Sequence, residues 1–584
     1  MEPTTPVHPK GLKSRILLSS VFGPFAQDDA YGSRTVNPME LYHNQVTRVQ
    51  GVFSLRMFHR SFSLLMLQAN IEAPCTLLDF PSLERFTAEL TQTPYDIIGI
   101  SAIRSNIGKV REMCARIRRL QPRAVIVVGG HIAALEDLQA RIDADHIVRG
   151  DGIVWFRRFL GQQDDAPVVH PAVYSAFGTR ILGIELRDRP GDTAAILIPS
   201  VGCPVGCNFC STSALFGGKG HFVNFYKTGD ELFAVMERLE KALKVQSFFV
   251  LDENFLLHRQ RALRLLELMQ AHGKRWALNV FSSARVLRSY TMAQLVGLGI
   301  GWVWMGIEGE DSGYRKLERV DTRELVAELQ AHGIRVLGST IIGLENHTPD
   351  NIDAAIDYAV GHHSDFHQFM LYTANPGTPL HDEHRRNGTL YDEARLSSAD
   401  AHGQFRFNYR HANIPAGEEE KYLLEAFSRD FVANGPSLGR LIRTLLSGWR
   451  RYRNDPDRRI RDRYAREAAP LRTTYAGAVW AMRRYFSQDA RHLAQTDRLL
   501  KDIYRTFGAP TRLAAPLIGR WICRRIKAEE RRLAAGWRYE PQTFYEKNAA
   551  ARALESAPPQ PNPVLKTGKE PSFRGVRPNE VAAR

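Results

Sequence analysis

Short apolar runs alternate with amphipathic stretches along the first 160 residues. Three of these runs have the composition of buried strands: SRILLSS (14–20), DIIGISAI (96–103) and AVIVVGG (124–130). Between them, VREMCARIRRL (110–120) places its apolar residues on one helical face. Strands that are apolar on both faces and separated by helices are typical of a parallel, doubly wound sheet. The pattern predicts an α/β, Rossmann-like domain over 13–160, ending at the short strand HIVRGDG (146–152).

A second series of strands and helices begins at Ala194, after a connector (161–190) that carries Gln, Asp and Pro. Six apolar runs separated by helical stretches are predicted as strands: AAILIPS (194–200), SFFVLDE (247–253), WALNVFSSA (276–284), WVWMGIE (302–308), VLGSTIIGL (336–344) and FHQFMLYT (366–373). Six such β/α units in succession suit a partial parallel (β/α)6 barrel better than an open sheet. We expect this barrel domain to span 190–400.

The pattern becomes helical beyond residue 415, which predicts a helical C-terminal domain over 415–550. The Pro-rich, polar tail 555–584 is expected to be disordered. The chain holds 78 Lys and Arg against 63 Asp and Glu, and 24 of the basic residues against 10 of the acidic ones lie within 441–540. The net positive charge therefore belongs to the helical domain, and the rest of the chain is almost neutral.

Three interpretations of this basic segment remain open. Its Arg clusters, interleaved with Trp, Tyr and Leu, fit solvated helix faces or a peripheral contact with anionic membrane lipids or a lipid-like substrate. Nucleic acid is the least favoured partner, because the segment carries no base-reading motif. There is no run of eighteen apolar residues, and MEPTTPVHPKGLKSR lacks the apolar core of a secretory signal. We expect a cytoplasmic protein, with the inner face of the membrane as its candidate contact surface.

GCPVGCNFC places Cys203, Cys207 and Cys210 directly after the first barrel strand. Thiolates are soft ligands suited to iron–sulfur clusters, which normally take four. No fourth Cys or His follows at a usable spacing, so the motif predicts a cluster with one iron left for a non-protein ligand. A structural zinc site is the alternative, but it requires four closed ligands. Three further cysteines, Cys75, Cys114 and Cys523, stand alone and are expected to be buried small hydrophobic residues.

The Cys-x3-Cys-x2-Cys spacing, with Phe209 before the last cysteine, resembles the signature of the radical S-adenosylmethionine (SAM) superfamily. The resemblance covers about 194–380 and implies a 4Fe–4S cluster whose open iron binds SAM and cleaves it to a 5′-deoxyadenosyl radical. It also implies SAM contacts for residues at the strand ends: Asp252 and Glu253 in LDEN, Arg285 in SSAR, Glu308 in GIEG and Gly343 in IIGLE. Capping of a helix explains Asp252 or Glu308 equally well, and a tight turn explains Gly343.

A doubly wound domain ahead of such a barrel resembles the cobalamin-binding subclass of this superfamily. The resemblance assigns corrin contacts to Ser101 in GISAI and to Gly129 and Gly130 in VVGGH, with a Gly-Asp-Gly turn at 150–152. The histidine motif that supplies the lower cobalt ligand in many cobalamin proteins is missing, because the first loop reads VFGPFAQDDAYG. We expect cobalamin to bind without a protein imidazole, with His131 as a candidate contact only.

By architecture, the chain is similar to the hopanoid methylases and the anaerobic porphyrin-ester cyclase. This implies cobalamin-dependent radical methylation of an unactivated carbon in a small-molecule, lipid-like substrate, with a flavodoxin- or ferredoxin-type electron donor. Radical cyclisation, rearrangement or C–C bond formation without methyl transfer is the alternative. A non-catalytic cobalamin or iron–sulfur sensor would not need carboxylates at the strand ends. No residue is assigned as a base or radical relay, and Tyr372 fits a core aromatic at least as well.

Overall fold

A computed structural model describes residues 6–25, 30–31, 40–186, 193–309 and 312–556. Its strands, in chain order, are β1 (Ile16–Ser20), β2 (Arg56–Phe58), β3 (Cys75–Asp79), β4 (Ile97–Ser101), β5 (Val125–Gly129), β6 (His146–Ile147), β7 (Phe177–Ile181), β8 (Ile184–Glu185), β9 (Ala195–Leu197), β10 (Ser200–Val201), β11 (Val223–Asn224), β12 (Ser247–Val250), β13 (Ala277–Ser282), β14 (Ile300–Glu308), β15 (Arg335–Ile342), β16 (Phe366–Leu371) and β17 (Phe544–Lys547).

Twenty α-helices accompany these strands. They are α1 (Phe62–Ala69), α2 (Leu83–Gln92), α3 (Ile107–Leu120), α4 (Leu138–Arg141), α5 (Gly152–Phe159), α6 (Ser211–Leu215), α7 (Gly229–Leu243), α8 (Arg259–Ala271), α9 (Ala284–Leu287), α10 (Met292–Gly297), α11 (Thr322–Ala331), α12 (Ile352–Val360), α13 (Pro379–Arg386), α14 (Glu419–Asn434), α15 (Ser437–Tyr452), α16 (Arg458–Ala468), α17 (Thr474–Tyr485), α18 (Ala490–Phe507), α19 (Ala509–Ala534) and α20 (Ala549–Ser556) among the described residues.

The N-terminal domain is built on a six-stranded sheet with the order β17-β3-β1-β4-β5-β6. The five strands from β3 to β6 in this order are parallel, and their apolar side chains are buried between helices on both faces. Ser101 at the end of β4 lies opposite Gly129 at the end of β5. The parallel register therefore brings the carboxyl ends of these strands to one edge of the sheet.

The second sheet has the order β16-β15-β14-β13-β12-β9 and is parallel throughout. Each of its six strands overlaps one of the six apolar runs predicted for the barrel, and β14 and β15 begin two residues and one residue earlier than predicted. The partial (β/α)6 architecture is confirmed. Its core is formed by large apolar side chains between the strands and the surrounding helices, including Phe248, Trp276 and Leu278.

The helical C-terminal region packs on the barrel through buried ion pairs as well as apolar contacts. Arg440 in α15 donates to both carboxylate oxygens of Asp430, at 3.1 and 2.8 Å, and to the Ser364 carbonyl oxygen at 2.8 Å. Arg180 in β7 makes a similar two-point contact with Glu529 in α19, at 2.8 and 2.6 Å. These contacts tie the C-terminal helices to the barrel, through Ser364, and to β7.

Two expectations need correction. The predicted connector (161–190) contains β7 and β8, which form a three-stranded sheet with β2. The predicted helical domain (415–550) contains β17, which adds to the N-terminal sheet antiparallel to β3, with Tyr545 opposite Leu78. Phe544 packs edge-on against Phe177. The end of the described chain thus belongs to the N-terminal domain, and the part of the predicted tail from residue 557 onward lies outside the described residues.

Candidate functional site

The three cysteines of the motif lie in one loop between β10 and α6. Cys210 is the N-cap residue of α6, and its Sγ atom accepts a hydrogen bond from the Ser213 N–H at 3.5 Å. Ser213 Oγ donates to the Cys203 carbonyl oxygen at 2.7 Å, so one serine links the first and third cysteines. Burial, with a smaller contribution from Cys210 and Cys207, raises the pKa of Cys203 to about 11. Bonding of the sulfurs to metal would remove this penalty on the thiolates, because the metal cation replaces the proton.

Two glycines allow the loop to fold closely upon itself. Gly202 and Gly206 have φ values of +86° and +65°. A Cβ atom on Gly206 would lie 2.6 Å from the Lys219 Cα atom, and one on Gly202 would lie 2.8 Å from the Phe216 Cβ atom. Three thiols on a loop this compact fit a 4Fe–4S cluster, in which each cysteine bonds to a different iron.

Hydrogen bonds to Asn208 hold the cysteine loop from the barrel side. Its Nδ2 donates to the Tyr372 hydroxyl at 2.9 Å, its Oδ1 accepts from the Tyr314 hydroxyl at 3.1 Å, and its carbonyl accepts from the Leu380 N–H at 3.1 Å. Phe209 packs edge-on against both tyrosine rings, at centroid distances of 5.3 and 6.0 Å. Tyr372 and Phe209 therefore position the loop that carries the cysteines.

The structure separates the predicted carboxylate pair at the end of β12. Asp252 is buried, and its Oδ2 accepts hydrogen bonds from Arg261 Nη2 at 2.6 Å and Ser200 Oγ at 2.5 Å. Its Oδ1 accepts from the Asn254 N–H at 3.1 Å. Both oxygens of Asp252 are thus occupied within the fold, so its geometry favours a structural role over SAM binding.

Glu253, the neighbouring carboxylate, has an oxygen left for a ligand. Its Oε2 atom is shielded from solvent and has no hydrogen-bond partner among the described residues. Burial, followed by the charge of Asp252, raises the pKa of Glu253 to about 7. A ligand ammonium group next to Glu253 would supply the missing partner and favour the ionised form. This geometry fits the predicted contact with the SAM amino group.

Glu308 at the end of β14 is buried and forms an ion pair with Lys316, a residue the sequence did not single out. Burial lowers the pKa of Lys316, but the charges of Glu308, Cys207 and Cys210 outweigh this, so the net pKa is raised. Lys316 Nζ also lies 5.4 Å from the centroid of the Phe209 ring. A lysine cation therefore lies between the predicted SAM-binding carboxylate and the cysteine loop.

Arg285 and Gly343 have contacts that the fold itself explains. The Arg285 side chain is 59% exposed and pairs with Glu318 at 3.5 Å, so it faces solvent in this structure. Gly343 has a φ of +79°, and a Cβ atom there would lie 2.2 Å from the Phe407 ring. A tight turn against an aromatic ring accounts for the glycine, while a SAM contact for either residue stays a prediction.

The residues predicted to contact the corrin line one cavity of about 490 Å³. Ser101, Gly129 and Gly130 lie on its N-terminal-domain side, together with residues 150–152. The opposite wall is formed by the barrel domain, including Glu253, Thr212 and Leu215 of α6, and Phe216 directly after that helix. The volume lies within the usual range for cofactor pockets. The two β/α domains therefore share a single cavity that reaches from the sheet edge to the helix that follows Cys210.

The two glycines of VVGGH differ in what they tolerate. A Cβ atom on Gly130 would lie 2.6 Å from the Ala102 carbonyl oxygen, and its φ is +87°, so any side chain there strains the fold. A Cβ atom on Gly129 would meet only the Val148 carbonyl oxygen, at 3.7 Å. Gly129 is thus the position at which added bulk would fill the cavity without a backbone clash. His131 lines the cavity rather than pointing to solvent, and burial lowers its pKa.

The cavity and loop include residues that sequence reasoning missed. Asn208 carried a positional signal, because it lies between two residues of the cysteine motif. Lys316, Tyr314 and Arg104 carried none, since each reaches the site from a loop or short turn that no motif marks. Of the isolated cysteines, Cys75 and Cys114 are buried as expected, and Cys523 is half-buried.

Two family models match the chain. One, the B12 binding domain, covers residues 54–160, and the other, the radical SAM superfamily, covers residues 197–359. These ranges contain the strand ends around the cavity and the cysteine loop. The chain therefore carries a B12-binding domain followed by a radical SAM domain.

Several curated proteins are similar to part of this chain. The bacteriochlorophyllide d C-12(1)-methyltransferase of Chlorobaculum tepidum is 29% identical over 309 residues, 50% of this chain and 66% of that protein. The anaerobic magnesium-protoporphyrin IX monomethyl ester cyclase of Cereibacter sphaeroides is 24% identical over 55% of this chain and 58% of its own length. The hopanoid C-2 methylase of Rhodopseudomonas palustris is 26% identical over 34% and 40%. The matches span less than two thirds of each of these three relatives.

Conservative substitutions of the neighbouring carboxylates are expected to have opposite effects. Glu253→Gln should weaken SAM binding by about 10- to 100-fold, because it removes a charged partner, while leaving the melting temperature nearly unchanged. Asp252→Asn should destabilise the protein by about 3–5 kcal/mol, because it leaves Arg261 buried without a counter-charge. Calorimetric SAM binding and thermal unfolding measure both. Normal SAM affinity in Glu253→Gln, or normal stability in Asp252→Asn, would contradict the division of roles.

Proposed function

We propose that this chain, which combines a B12-binding domain with a radical SAM domain, is a cobalamin-dependent radical SAM methyltransferase that acts on an unactivated carbon of a small molecule. The observation that carries the proposal is the shared cavity. Its one wall contains Ser101 and Gly129 at the strand ends of the B12-binding domain, and its other wall contains Glu253 and the helix that follows Cys210. A methyl carrier and a radical source must reach one substrate, and this cavity supports their placement side by side.

Separate groups of residues would bind the cluster and SAM. Cys203, Cys207 and Cys210 would hold the 4Fe–4S cluster, which supplies the electron for reductive cleavage of SAM when it is bound. Glu253 would accept a hydrogen bond from the SAM amino group, and the Lys316–Glu308 pair, beside the cysteine loop, would contact polar groups of SAM. The apolar lining of the cavity excludes water from the space between the two domains.

The corrin is proposed to bind without a protein imidazole below the metal. The histidine motif is missing from the first loop, although residues 26–29 and 32 of that loop lie outside the described residues. His131 is the imidazole that the structure places in the cavity, after the glycine pair. Its lowered pKa keeps it neutral at pH 7, so its role as a ligand can be tested directly.

Radical cyclisation or C–C bond formation without methyl transfer is the competing function. One relative is a cyclase by name, and it is 24% identical to this chain over 364 residues. The two functions differ in what happens to SAM. Methyl transfer converts a second SAM to S-adenosylhomocysteine, whereas cyclisation consumes SAM only as the source of the radical.

The electron for the cluster has to come from a partner. We propose a flavodoxin- or ferredoxin-type protein as the donor, because reductive cleavage of SAM needs a one-electron donor of low potential. An assay with a flavodoxin and its reductase would therefore match the proposed partner, with dithionite as a chemical substitute.

The products of SAM under anaerobic conditions test the proposed function. Reconstituted protein should contain about four iron and four sulfide atoms per chain. With reductant and cobalamin, it should release both 5′-deoxyadenosine and S-adenosylhomocysteine, measured by mass spectrometry. Cys203→Ala, Cys207→Ala and Cys210→Ala should each abolish 5′-deoxyadenosine formation, while the half-buried control Cys523→Ala should retain it. 5′-Deoxyadenosine without S-adenosylhomocysteine would overturn methyl transfer in favour of the alternative.

We also propose that α19 docks the enzyme on anionic lipid. Leu513, Leu517 and Trp521 follow one another at helical spacing and are 75%, 66% and 49% exposed. Arg520 and Arg524 are exposed on the same stripe and form no ion pair within the described part of the chain. Apolar anchors flanked by unpaired arginines suit the interface of an anionic bilayer. No helix among the described residues is long and apolar enough to cross a membrane, so this contact is peripheral.

Co-sedimentation with vesicles tests the lipid contact. The protein should bind vesicles that contain phosphatidylglycerol and release them at high salt, and it should not bind purely zwitterionic vesicles. Leu517→Ser combined with Trp521→Ser should weaken binding by about tenfold or more, because two apolar side chains that would insert into the bilayer are lost. Val432→Ser, at an exposed apolar position on α14, is the matched control. Equal binding by the double variant and the wild type would contradict the proposal.

A further inference from the structure

Arg104 is a partly buried arginine whose guanidinium forms no hydrogen bond or ion pair with another described residue. It lies in the short 3-10 turn (Arg104–Asn106) that follows β4, three residues after Ser101. Its Nε and Nη1 atoms are shielded from solvent, and they have no hydrogen-bond partner among the described residues. Burial lowers the pKa of Arg104 to about 10. Guanidinium nitrogens that are shielded from water without gaining a partner are costly, and the fold must recover that cost elsewhere.

The acidic groups whose charge affects Arg104 already form ion pairs with another arginine. Glu393 and Asp137 both influence its pKa. Each forms an ion pair with Arg141 instead, Glu393 through a short contact and Asp137 at 3.7 Å. Arg385, in the same region, is likewise paired with Glu136 at 2.5 Å. Of Arg104, Arg141 and Arg385, only Arg104 therefore forms no ion pair with a described residue.

A second unpartnered donor lies close to Arg104. The Nδ1 atom of His381 in α13 is shielded from solvent and has no hydrogen-bond partner in the described part of the chain. A carboxylate oxygen of Asp382 lies 3.8 Å away. Burial and then the Arg104 charge lower the pKa of His381. Two nitrogen-bearing groups from different domains thus share one region, and neither has an acceptor.

The position of this pair connects it to the proposed site. Ile103 and Asn106, on either side of Arg104, line the shared cavity. His381 directly follows Leu380, whose N–H donates to the carbonyl of Asn208 in the cysteine loop. The turn that carries Arg104 also packs on residues 131–134, which in turn contact α6. The turn that carries Arg104 therefore borders the cavity, and the helix that carries His381 contacts the cysteine loop.

We propose that Arg104 and His381 form a binding site for an oxyanion, a carboxylate or a phosphate, carried by the substrate. The planar guanidinium presents paired N–H donors that match the two oxygens of such a group, and His381 supplies a further nitrogen. This inference deepens the proposed function, since it assigns the substrate to the class of anionic small molecules. The phosphodiester in the nucleotide tail of cobalamin has the same chemistry and is the other source to be distinguished.

Anion-dependent thermal stability tests the site without turnover. The melting temperature of the wild-type protein, free of cobalamin, should rise with the concentration of inorganic phosphate or acetate at constant ionic strength. Arg104→Met should abolish this rise. It should not lower the melting temperature in anion-free buffer, because it removes an unpaired buried charge. Arg385→Met, which removes a paired arginine from the same interface, is the matched control and should keep the rise.

Loading with cobalamin identifies the source of the oxyanion. If the site serves the substrate, the phosphate effect persists in the cobalamin-loaded protein, and Arg104→Met binds cobalamin as the wild type does. If it serves the cofactor tail, loading removes the phosphate effect, and Arg104→Met weakens cobalamin but not cobinamide, which lacks the nucleotide. The second result would overturn the assignment to the substrate. Equal phosphate effects in the wild type and Arg104→Met would overturn the site altogether, whether or not SAM is cleaved.

Discussion

The carboxyl ends of two parallel sheets meet across one cavity, and the organisation of the rest of the chain depends on this contact. In a parallel β/α unit the loops after the strands are the parts that reach a ligand, because helices cover both faces of the sheet. Here the strand ends at Ser101 and Gly129 face the α6 side of the barrel, where the cysteine loop begins its helix. The three-stranded sheet of β2, β7 and β8 and the helices of the C-terminal region hold the two domains in this arrangement.

The charged groups in the interior are of two kinds: those paired within the fold, and those with atoms that no described residue contacts. Asp252 and Arg261 satisfy each other, as do Asp430 and Arg440, so each pair is explained by the fold. Glu253 and Arg104 are different, because each retains shielded atoms without a partner. One is an acceptor near the cysteine loop and the other a donor near the cavity. The structure thus offers one site for a cation such as an ammonium group and one for an oxyanion.

Apolar periodicity was sufficient to predict the six barrel strands, because strands buried on both faces have continuous apolar runs. It failed for β7 and β17, whose sequences FGTRI and FYEK mix polar and apolar residues. β17 is an edge strand, and β7 is the central strand of a small three-stranded sheet that leaves three of its five residues only partly buried. The cysteine loop was predictable from spacing alone. The sequence could not predict which of the two carboxylates in LDEN is free to bind a ligand. That depends on Arg261, which α8 places next to Asp252. Lys316 and Arg104 could not be predicted either, because their roles depend on the tertiary structure around them and no sequence motif marks them.

The central claim is that the cluster and the corrin bind next to each other at one cavity, and that no protein nitrogen is a ligand of the cobalt. Electron paramagnetic resonance of the Co(II) form tests it most directly. With the cluster oxidised, the account predicts a cobalt spectrum without nitrogen superhyperfine splitting, unchanged in His131→Ala. With the cluster reduced, the cobalt signal should broaden or split through magnetic interaction with the nearby cluster, and Gly129→Val should remove it by blocking corrin binding. Nitrogen splitting that disappears in His131→Ala, or two signals that simply add, would contradict the account.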